Sequence, residues 1–180
     1  ESTKKITDRL GNEGYAFANA NAVPELDKTA KRVALTIMID PGRRVYVRRI
    51  SISGNTRTRD EVVRREMRQL EGAYYDGDKI QKSKQRLERL GYVSEVDVET
   101  PGVPNLSDQV DANFKVKEKS TGAITLGAGF SSTEKLVLSG SITQQNVFGS
   151  GKHISLQLNT SKISRNIGLS YTDPYYTVDG

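Results

Sequence analysis

The most constraining feature of this chain is the alternation of apolar with small or polar residues that follows Ser120. Four successive segments carry this pattern before residue 172. Side chains alternate between the two faces of a strand, so the pattern predicts four β-strands joined by hairpin-length turns. The residues predicted to share one face are Ile124, Leu126, Ala128, Phe130, Leu136, Leu138, Gly140, Ile142, Ile154, Leu156, Leu158, Ile167, Leu169 and Tyr171.

Two classes of protein show this alternation, namely soluble antiparallel sandwiches and outer-membrane β-barrels. The predicted strands are about 8–11 residues long, which suits transmembrane β-strands. Charge separates the two classes, because the water-facing side of a sandwich normally carries many Lys and Glu residues. From residue 120 onward the only charged residues are Lys135, Lys152, Lys162, Arg165, Glu134, Asp173 and Asp179. This scarcity favours the barrel and predicts a domain boundary near Ser120.

The overall composition excludes few classes of function. The chain has 27 basic and 22 acidic residues and a formal net charge of +5. This charge permits contact with nucleic acid or an anionic membrane without requiring either. There is no cysteine, so disulfides and thiol chemistry are excluded. The first residue is Glu1 and no long apolar run follows, so we expect a piece excised from a longer protein.

The charged part of the chain contains a repeat. A shift of 77 positions aligns Lys5 with Lys82, Leu10 with Leu87, and Gly14-Tyr15 with Gly91-Tyr92. This period is the size of a small domain, not of a solenoid repeat. The second copy reads as β-α-α-β-β. The first copy begins inside its second helix and keeps α-β-β, ending with a strand over 31–40.

Local signals place the elements of the second copy. A strand is predicted over 44–54, with a bulge at Arg48-Arg49 where the apolar parity shifts. Thr58 and Glu61 form a predicted capping box for a helix that continues to Gln69 and turns Val62, Val63 and Met67 inward. A second helix is predicted over 78–90, buries Ile80, Leu87 and Leu90, and stops at Gly91. Strands over 92–100 and 109–117 follow, the latter with Val110, Ala112, Phe114 and Val116 inward.

No pattern for covalent chemistry, a cofactor or a metal emerges, so we expect no enzyme activity. GAGFSS lacks the third glycine of a phosphate-binding GxGxxG loop, and no helical pattern follows it. His153 is isolated, and a surface position is expected for it. Asp76 and Asp78 resemble a calcium loop only weakly, since the downstream Glu is missing. The RVYVRR stretch at 44–49 could serve as a nucleic-acid platform, but no RRM or KH signature accompanies it.

Several stretches resemble a known family. GNTRTRDEVVRREMRQLEGA, KQRLERLGYVSEVDVET and QVDANFKVKE resemble POTRA (polypeptide-transport-associated) domains of the outer-membrane protein assembly factors of Gram-negative bacteria. TGAITLGAGFSS, QQNVFGSG and SYTDPYYTVDG resemble the opening strands of the barrel in those proteins. The implied fold class is α+β POTRA domains followed by antiparallel transmembrane β-barrel strands. Residues 1–42 would be the C-terminal part of the penultimate POTRA domain, 43–119 the last one, and 120–180 the first approximately four strands of a partial barrel.

The resemblance implies a role in assembling outer-membrane proteins without covalent catalysis. The expected partners are unfolded β-barrel clients, lipoproteins of the assembly machinery and outer-membrane lipid, with no nucleic acid. POTRA domains would lie in the periplasm and the barrel in the outer membrane. Clients would pair by β-augmentation with the middle strand, which carries Tyr92, Val93, Val96 and Val98.

The resemblance also assigns a seam and a docking surface. The first barrel strand would open toward the client, and its seam residues are Gly122, Ile124, Leu126, Gly127, Gly129 and Phe130. Gly127 and Gly129 weaken strand packing, which suits an opening seam, but they equally suit a close backbone approach at a barrel corner. Arg64 and Glu71 would dock a partner lipoprotein, although a run of arginines is also typical of a solvated helix face.

Two other interpretations of function remain open. One is a POTRA-containing transporter of the two-partner secretion or TamA type. The other is a soluble α+β binding module with a β-sandwich tail. A membrane-spanning barrel needs at least about 8 strands to close. We therefore expect the strands after residue 120 to form a native sheet only where the rest of a barrel or another chain covers their edges.

Overall fold

A computed structural model describes residues 1–27, 32–133 and 135–177. Lys31, which the sequence assigns to a strand, Glu134 in a predicted turn, and residues 178–180 lie outside the described residues. In chain order the first elements are α1 (Ser2–Asn12), β1 (Asn19–Asp27), β2 (Arg32–Asp40), β3 (Tyr46–Ser53), α2 (Asp60–Arg64), α3 (Gly77–Glu88) and β4 (Val93–Glu99). They are followed by β5 (Gly102–Val103), β6 (Leu106–Glu118), β7 (Gly122–Ser131), β8 (Lys135–Gln144), β9 (His153–Thr160) and β10 (Arg165–Thr172).

The chain divides into two compact units. Unit 1 comprises Glu1–Ser53, Glu66–Leu87 and Val96–Lys115. Unit 2 comprises Gly54–Arg65, Glu88–Glu95 and the residues from Val116 onward. Each unit is described by itself below.

Unit 1 begins with the first copy of the repeat. Helix α1 is followed by an antiparallel pair of strands, β1 and β2, in which Asn19 lies opposite Asp40. This α-β-β order confirms the prediction. Gly14 follows the helix with a φ of 103°, a backbone conformation that glycine adopts without strain. Its carbonyl accepts a hydrogen bond from the Val45 N–H at 2.9 Å.

The second copy of the repeat has the predicted β-α-α-β-β order, with the short strand β5 added. Its sheet has the order β3-β6-β4, and β5 also pairs with β6. Strand β3 runs parallel to β6. The side chains predicted to point inward are buried, with the exception of Leu90, which is half-buried; they are Val62, Val63, Met67, Ile80, Leu87, Val110, Ala112, Phe114 and Val116.

The bulge predicted from the parity shift in β3 is confirmed. The pairing of β3 with β6 shifts register between Val47 and Arg49. The shift turns both Val47 and Ile50 toward the buried side, although three positions separate them. Arg48 lies at the irregularity and its Nε donates to Asp111 Oδ1 at 2.9 Å. The guanidinium hydrogen bond lowers the pKa of Asp111 below its usual range.

The predicted ends of the two helices of the second copy are wrong. Helix α2 covers only Asp60–Arg64, is preceded by Arg59, and has no side-chain cap, so the predicted capping box does not form. Past the helix, the Arg68 N–H donates to Ser83 Oγ at 2.8 Å instead of to the Arg64 carbonyl that a longer helix would offer. Helix α3 ends at Glu88, and Gly91 is not among the glycines with positive φ.

A buried glutamine organises the chain between these helices. The Gln69 amide nitrogen donates to the carbonyls of Leu70 and Tyr74 at 3.1 and 3.0 Å. Its oxygen accepts from the Asp76 N–H at 3.1 Å. Asp76 Oδ1 in turn accepts from the N–H groups of Asp78 and Lys79 at 3.0 and 3.2 Å. The acidic pair of the weak calcium-loop pattern therefore begins α3, with Asp76 as its cap.

The strands of unit 2 after residue 120 form one antiparallel sheet with the order β10-β9-β8-β7. Its register confirms the predicted faces. Ile124 lies opposite Ile142, Ile142 opposite Leu156, and Leu156 opposite Leu169. Since directly opposed residues share a face, the apolar residues of all four strands form one continuous surface. The other face carries mainly small and polar residues such as Thr125, Ser141, Gln157 and Asn166.

Candidate functional site

Strand β4, the predicted client-pairing strand, lies at one end of the sheet β3-β6-β4. The side chains of Tyr92, Val93 and Val96 are buried, and that of Val98 is half-buried. These four side chains are therefore not exposed recognition residues. An added strand would bind the backbone of β4. The exposed side chains of β4 belong to residues such as Ser94 and Asp97.

The opposite end of that sheet is covered by the chain itself. The Val47 N–H donates to the Ala73 carbonyl at 2.9 Å, and the Gly72 N–H donates to the Val47 carbonyl at 2.7 Å. The Ile50 N–H donates to Glu71 Oε1 at 2.7 Å. These bonds occupy backbone groups that an edge strand otherwise offers to other chains. Strand β3 is thus protected, whereas β4 is the end of the sheet suited to strand addition.

The two predicted docking residues have different local roles. Glu71, in unit 1, is bound to the backbone of β3 as described above. Arg64, in unit 2, ends α2 and its Nε contacts Asp60 Oδ2 at 3.1 Å. Arg64 is exposed and Asp60 lies one helical turn before it, so this ion pair contributes little to stability. Lipoprotein docking by either residue stays a prediction.

Strand β7, the predicted seam strand, lies at one end of the four-stranded sheet. The Gln145 N–H donates to the Thr121 carbonyl at 2.9 Å. Backbone bonding alternates along an antiparallel pair, so the odd-numbered residues of β7 bond to β8 and the even-numbered ones direct their N–H groups to the open edge. Those even-numbered residues include Gly122, Ile124, Leu126 and Phe130 of the predicted seam.

The two glycines of the seam differ in their surroundings. A Cβ at Gly127 would lie 2.6 Å from Ser139 Oγ, whereas a Cβ at Gly129 would meet nothing within 4 Å. A side chain at position 127 would therefore require the Ser139 hydroxyl to move, whereas one at position 129 would meet open space. Both the seam and the corner interpretations of these residues stay predictions.

The turn between β8 and β9 is bonded to the loop that precedes α2; we call residues 146–151 the docked turn. Asn146 is buried, and its Nδ2 donates to Thr58 Oγ1 at 2.7 Å. Its Oδ1 accepts from the Gly151 N–H at 2.8 Å. The Arg59 N–H donates to the Gly149 carbonyl at 3.0 Å. Thr58 is therefore a partner of the turn and not the helix cap that the sequence predicts.

Two glycines allow this close approach. Gly149 has a φ of 73°, and a Cβ there would lie 2.1 Å from the Arg57 carbonyl oxygen. Gly151 has a φ of 76°, and a Cβ there would lie 3.1 Å from Val62 Cγ1. Side chains at either position would strain the backbone and push the loop away. The sequence GSG is thus required by contact as well as by turn geometry.

The segment after β10 makes a second contact with α2. The guanidinium of Arg65 lies over the Tyr175 ring at 4.0 Å, so Arg65 is not on a solvated helix face. The Asp173-Pro174 turn is confirmed by the Tyr175 N–H, which donates to Asp173 Oδ1 at 3.1 Å. Hydrogen bonds from Lys152 and from this N–H lower the pKa of Asp173. Lys152 Nζ lies 3.0 Å from Asp173 Oδ2.

A carboxylate at the end of β6 holds the loop before α2. Glu118 accepts hydrogen bonds from the N–H groups of Arg57 and Thr58 at 3.0 and 2.8 Å and from Thr56 Oγ1 at 3.1 Å. Partial burial acts to raise the pKa of Glu118, but these hydrogen bonds outweigh burial and lower it. The ionised carboxylate therefore stabilises this loop.

Residues 1–27, 32–133 and 135–177 contain few groupings of chemically reactive side chains. No group of His, Asp and Glu residues suited to a metal ion occurs there, and no helix in these ranges is long and apolar enough to cross a membrane. His153 is half-buried at the start of β9. Tyr46, the tyrosine of the basic stretch at 44–49, stacks on Tyr74 with the ring centroids 4.2 Å apart.

Comparison with known proteins identifies the family. The POTRA family profile, described as surface antigen variable number repeat, matches residues 1–42 and 45–119. The chain belongs to the POTRA family. The repeat of 77 residues and the β-α-α-β-β order are the features of the chain that correspond to this POTRA match.

Similarity extends beyond the POTRA part. The outer membrane protein assembly factor BamA of Neisseria meningitidis is 44% identical over 98% of this chain, and BamA of Nitratidesulfovibrio vulgaris is 38% identical over 95%. The chain spans 22% of the length of each. The crystal structure of Haemophilus ducreyi BamA lacking POTRA domains 1-3 matches 99% of the chain and 34% of its own, with a TM-score of 0.88 and 40% identity.

The docked turn is the main feature that sequence reasoning missed. The NVFGSG stretch carries a turn signal, since Asn and Gly are the residues that adopt positive φ most readily. That signal reports local geometry only. The bond from Asn146 to Thr58 joins residues 88 positions apart, and no local pattern in the POTRA sequence indicates such a partner.

Proposed function

We propose that this chain belongs to a protein that assembles β-barrel proteins in the outer membrane. In this proposal residues 1–42 end the penultimate POTRA domain, 43–119 form the last POTRA domain in the periplasm, and 120–180 begin the barrel. The observation that carries it is the 44% identity to a BamA over 98% of the chain. The role is the binding and insertion of unfolded clients, without covalent catalysis or a cofactor.

Client capture would use the backbone of β4. Unfolded β-barrel clients carry unpaired strand backbone, and a free sheet edge pairs with such chains through main-chain bonds that tolerate many sequences. Two observations support β4 as that edge. It ends the sheet β3-β6-β4, and the other end is covered by Ala73, Gly72 and Glu71.

Insertion would use the open edge of β7. Its outward N–H groups are free to pair with a client strand, in keeping with the position of β7 at the end of the sheet. The continuous apolar face formed by β7 to β10 would contact outer-membrane lipid. A client strand added to β7 would extend this sheet, and its residues would alternate between the lipid-facing and the lumen-facing side in the same way.

Docking to a partner lipoprotein, BamD in the BamA machinery, would involve Arg64 and Glu71. Glu71→Lys should abolish binding if this carboxylate makes a charged pair. However, the substitution also removes the acceptor of the Ile50 N–H. Glu71→Gln retains an acceptor oxygen without the charge, and so separates the two effects. Unchanged BamD affinity in both variants would rule out docking through Glu71.

The edge function of β4 can be tested by cross-linking. Because the chain has no cysteine, Asp97→Cys provides a single attachment point on β4 for a benzophenone label. The matched control is Gln85→Cys on α3, which is also exposed. We expect an unfolded β-barrel client to cross-link to position 97 but not to 85, and the same client after folding to cross-link to neither. Equal adducts at both positions would contradict strand addition at β4.

A further inference from the structure

We propose that unit 2 contains a binding site for the phosphate of an anionic phospholipid. The site is a cleft of about 350 Å³ beside the docked turn, and its walls include Arg57, Lys119 and Phe148. It lies outside the strand edges proposed for clients. The site relies on the membrane location of the sheet but requires no client.

Charge is the first argument for an anion. Among the described residues, neither the guanidinium of Arg57 nor the ammonium of Lys119 has an ion-pair partner, whereas Arg48, Arg64, Arg86 and Lys152 each have one. The cleft also contains Glu118, but its carboxylate is bound by Thr56 and by the N–H groups of Arg57 and Thr58. Two residues with unpaired cationic side chains thus line the cleft, while its carboxylate is occupied.

Phe148 supplies the second argument. It is 91% exposed and has a φ of 51° and a ψ of 30°. A left-handed backbone is unfavourable for a large side chain and persists only where the surroundings impose it. Here the bonds of Asn146 and Gly149 to residues 58 and 59 impose it. A strained turn that presents an aromatic ring to its surroundings points to a function for that ring, and aromatic side chains favour the membrane interface.

The third argument is the position of the cleft along the bilayer normal, relative to the apolar face of the sheet. Thr121 and Gln144 line the cleft, and they lie three and two residues from the apolar pair Ile124 and Ile142. At the rise of a β-strand these separations correspond to roughly 7–10 Å. A strand tilt of about 35–45° shortens them to roughly 5–8 Å along the bilayer normal. The headgroup layer on each side of the hydrocarbon core is also about 5–8 Å thick.

The site therefore lies where lipid phosphates lie. If the phosphate of a phospholipid lies between Arg57 and Lys119, the acyl chains of that lipid extend toward the apolar face of the sheet. Phe148 then lies at the boundary between headgroups and acyl chains. The partner is a phospholipid in a bilayer rather than free phosphate, because Phe148 offers an apolar contact that a soluble anion does not use.

A tryptophan at position 148 provides the measurement. The chain contains no Trp, so Phe148→Trp introduces a single fluorophore at an exposed position. Titration with phosphatidylglycerol vesicles should shift its emission to shorter wavelength, and lipids brominated near the headgroup should quench it. Phosphatidylcholine vesicles should act only at much higher lipid concentration, and soluble glycerol phosphate should have no effect. The same shift with glycerol phosphate, or no quenching by brominated lipid, would overturn the proposal.

The cations are tested in the same background. Arg57→Gln with Lys119→Gln should weaken binding to phosphatidylglycerol vesicles by about 30-fold, since each basic residue near an anionic surface is worth about 1 kcal/mol. The control pair, Arg49→Gln with Lys115→Gln, removes the same charge from two exposed residues of unit 1. It should weaken binding less than about threefold. Equal losses from the two pairs would overturn the site and leave only non-specific attraction.

Phe148→Asn separates lipid binding from a structural role. Asn adopts left-handed backbone more readily than Phe, so this variant should unfold at a higher urea concentration than the wild type. It lacks the aromatic ring, so it should bind phosphatidylglycerol vesicles more weakly. Quenching of the native tyrosine fluorescence by energy transfer to a lipid-attached acceptor reports this binding without Trp. Wild-type vesicle affinity in Phe148→Asn would contradict the role of the ring.

Discussion

The contact between the docked turn and the loop before α2 makes a quantitative prediction for Gly149→Ala. The left-handed backbone of Gly149, with φ of 73°, costs an alanine about 1 kcal/mol. The new Cβ would lie 2.1 Å from the Arg57 carbonyl oxygen, so the loop must move. Moving the loop breaks the hydrogen bond between the Arg59 N–H and the Gly149 carbonyl and strains the hydrogen bond from Asn146 to Thr58. Each of these two effects costs about 1 kcal/mol of stability. We expect a total loss of about 3 kcal/mol.

Two other glycines isolate the causes. Gly42 has a φ of 65° but open space around its Cβ position, and Gly129 has neither positive φ nor a neighbour within 4 Å. Gly42→Ala should therefore cost about 1 kcal/mol, and Gly129→Ala should be neutral or slightly stabilising. Urea unfolding of the full-length parent protein in detergent micelles, followed by circular dichroism, compares the three variants. A loss in Gly149→Ala no larger than in Gly42→Ala would refute the close contact.

Other contacts of unit 2 and its surroundings lead to further predictions. Asn146→Ala should lower the free energy of unfolding by about 2–3 kcal/mol, because the Thr58 hydroxyl and the Gly151 N–H lose their partner. The control Asn105→Ala, at an exposed residue with φ of 66°, should lower the free energy of unfolding less in the same urea assay. The lowered pKa of Glu118 means that its contribution is present above its unfolded pKa of about 4.3 and is lost as pH falls through the folded pKa. Glu118→Gln should accordingly show a flatter loss of stability in acid titrations. Arg65→Lys and Tyr175→Leu should each cost about 0.5–1 kcal/mol, and a double-mutant cycle should show that the two losses are coupled.

The strands after residue 120 could be predicted from sequence because their signal is local and repeated. Alternation in β7 assigns Ile124 and Thr125 to opposite faces, and the observed register agrees. The bulge in β3 was also predictable, because a break in parity between Val47 and Ile50 has no other simple cause in a strand.

Features that depend on distant partners could not be predicted. The capping box at Thr58 has the right residue types, but the hydroxyl is bonded to Asn146 and the loop N–H groups are bonded to Glu118. Helix α2 ends at Arg64, and the Arg68 N–H donates to Ser83 Oγ instead of to a helical carbonyl. In each case a tertiary bond outweighs a local preference of about 1 kcal/mol. The proposed lipid site likewise joins residues from three separate parts of the chain.

The proposed role of β7 as the strand that receives clients can be tested by client folding in liposomes that contain the full-length parent protein. Ala128 is an even-numbered residue of β7, so its N–H faces the open edge. Ala128→Pro removes this donor without removing a bond to β8, whereas Ala128→Val retains it. The proposed function predicts that Ala128→Pro slows folding of an unfolded β-barrel client by about tenfold, as expected for loss of roughly 1.4 kcal/mol at one backbone bond, and that Ala128→Val remains within about twofold of the wild type. Wild-type folding rates with Ala128→Pro would contradict client pairing at this edge.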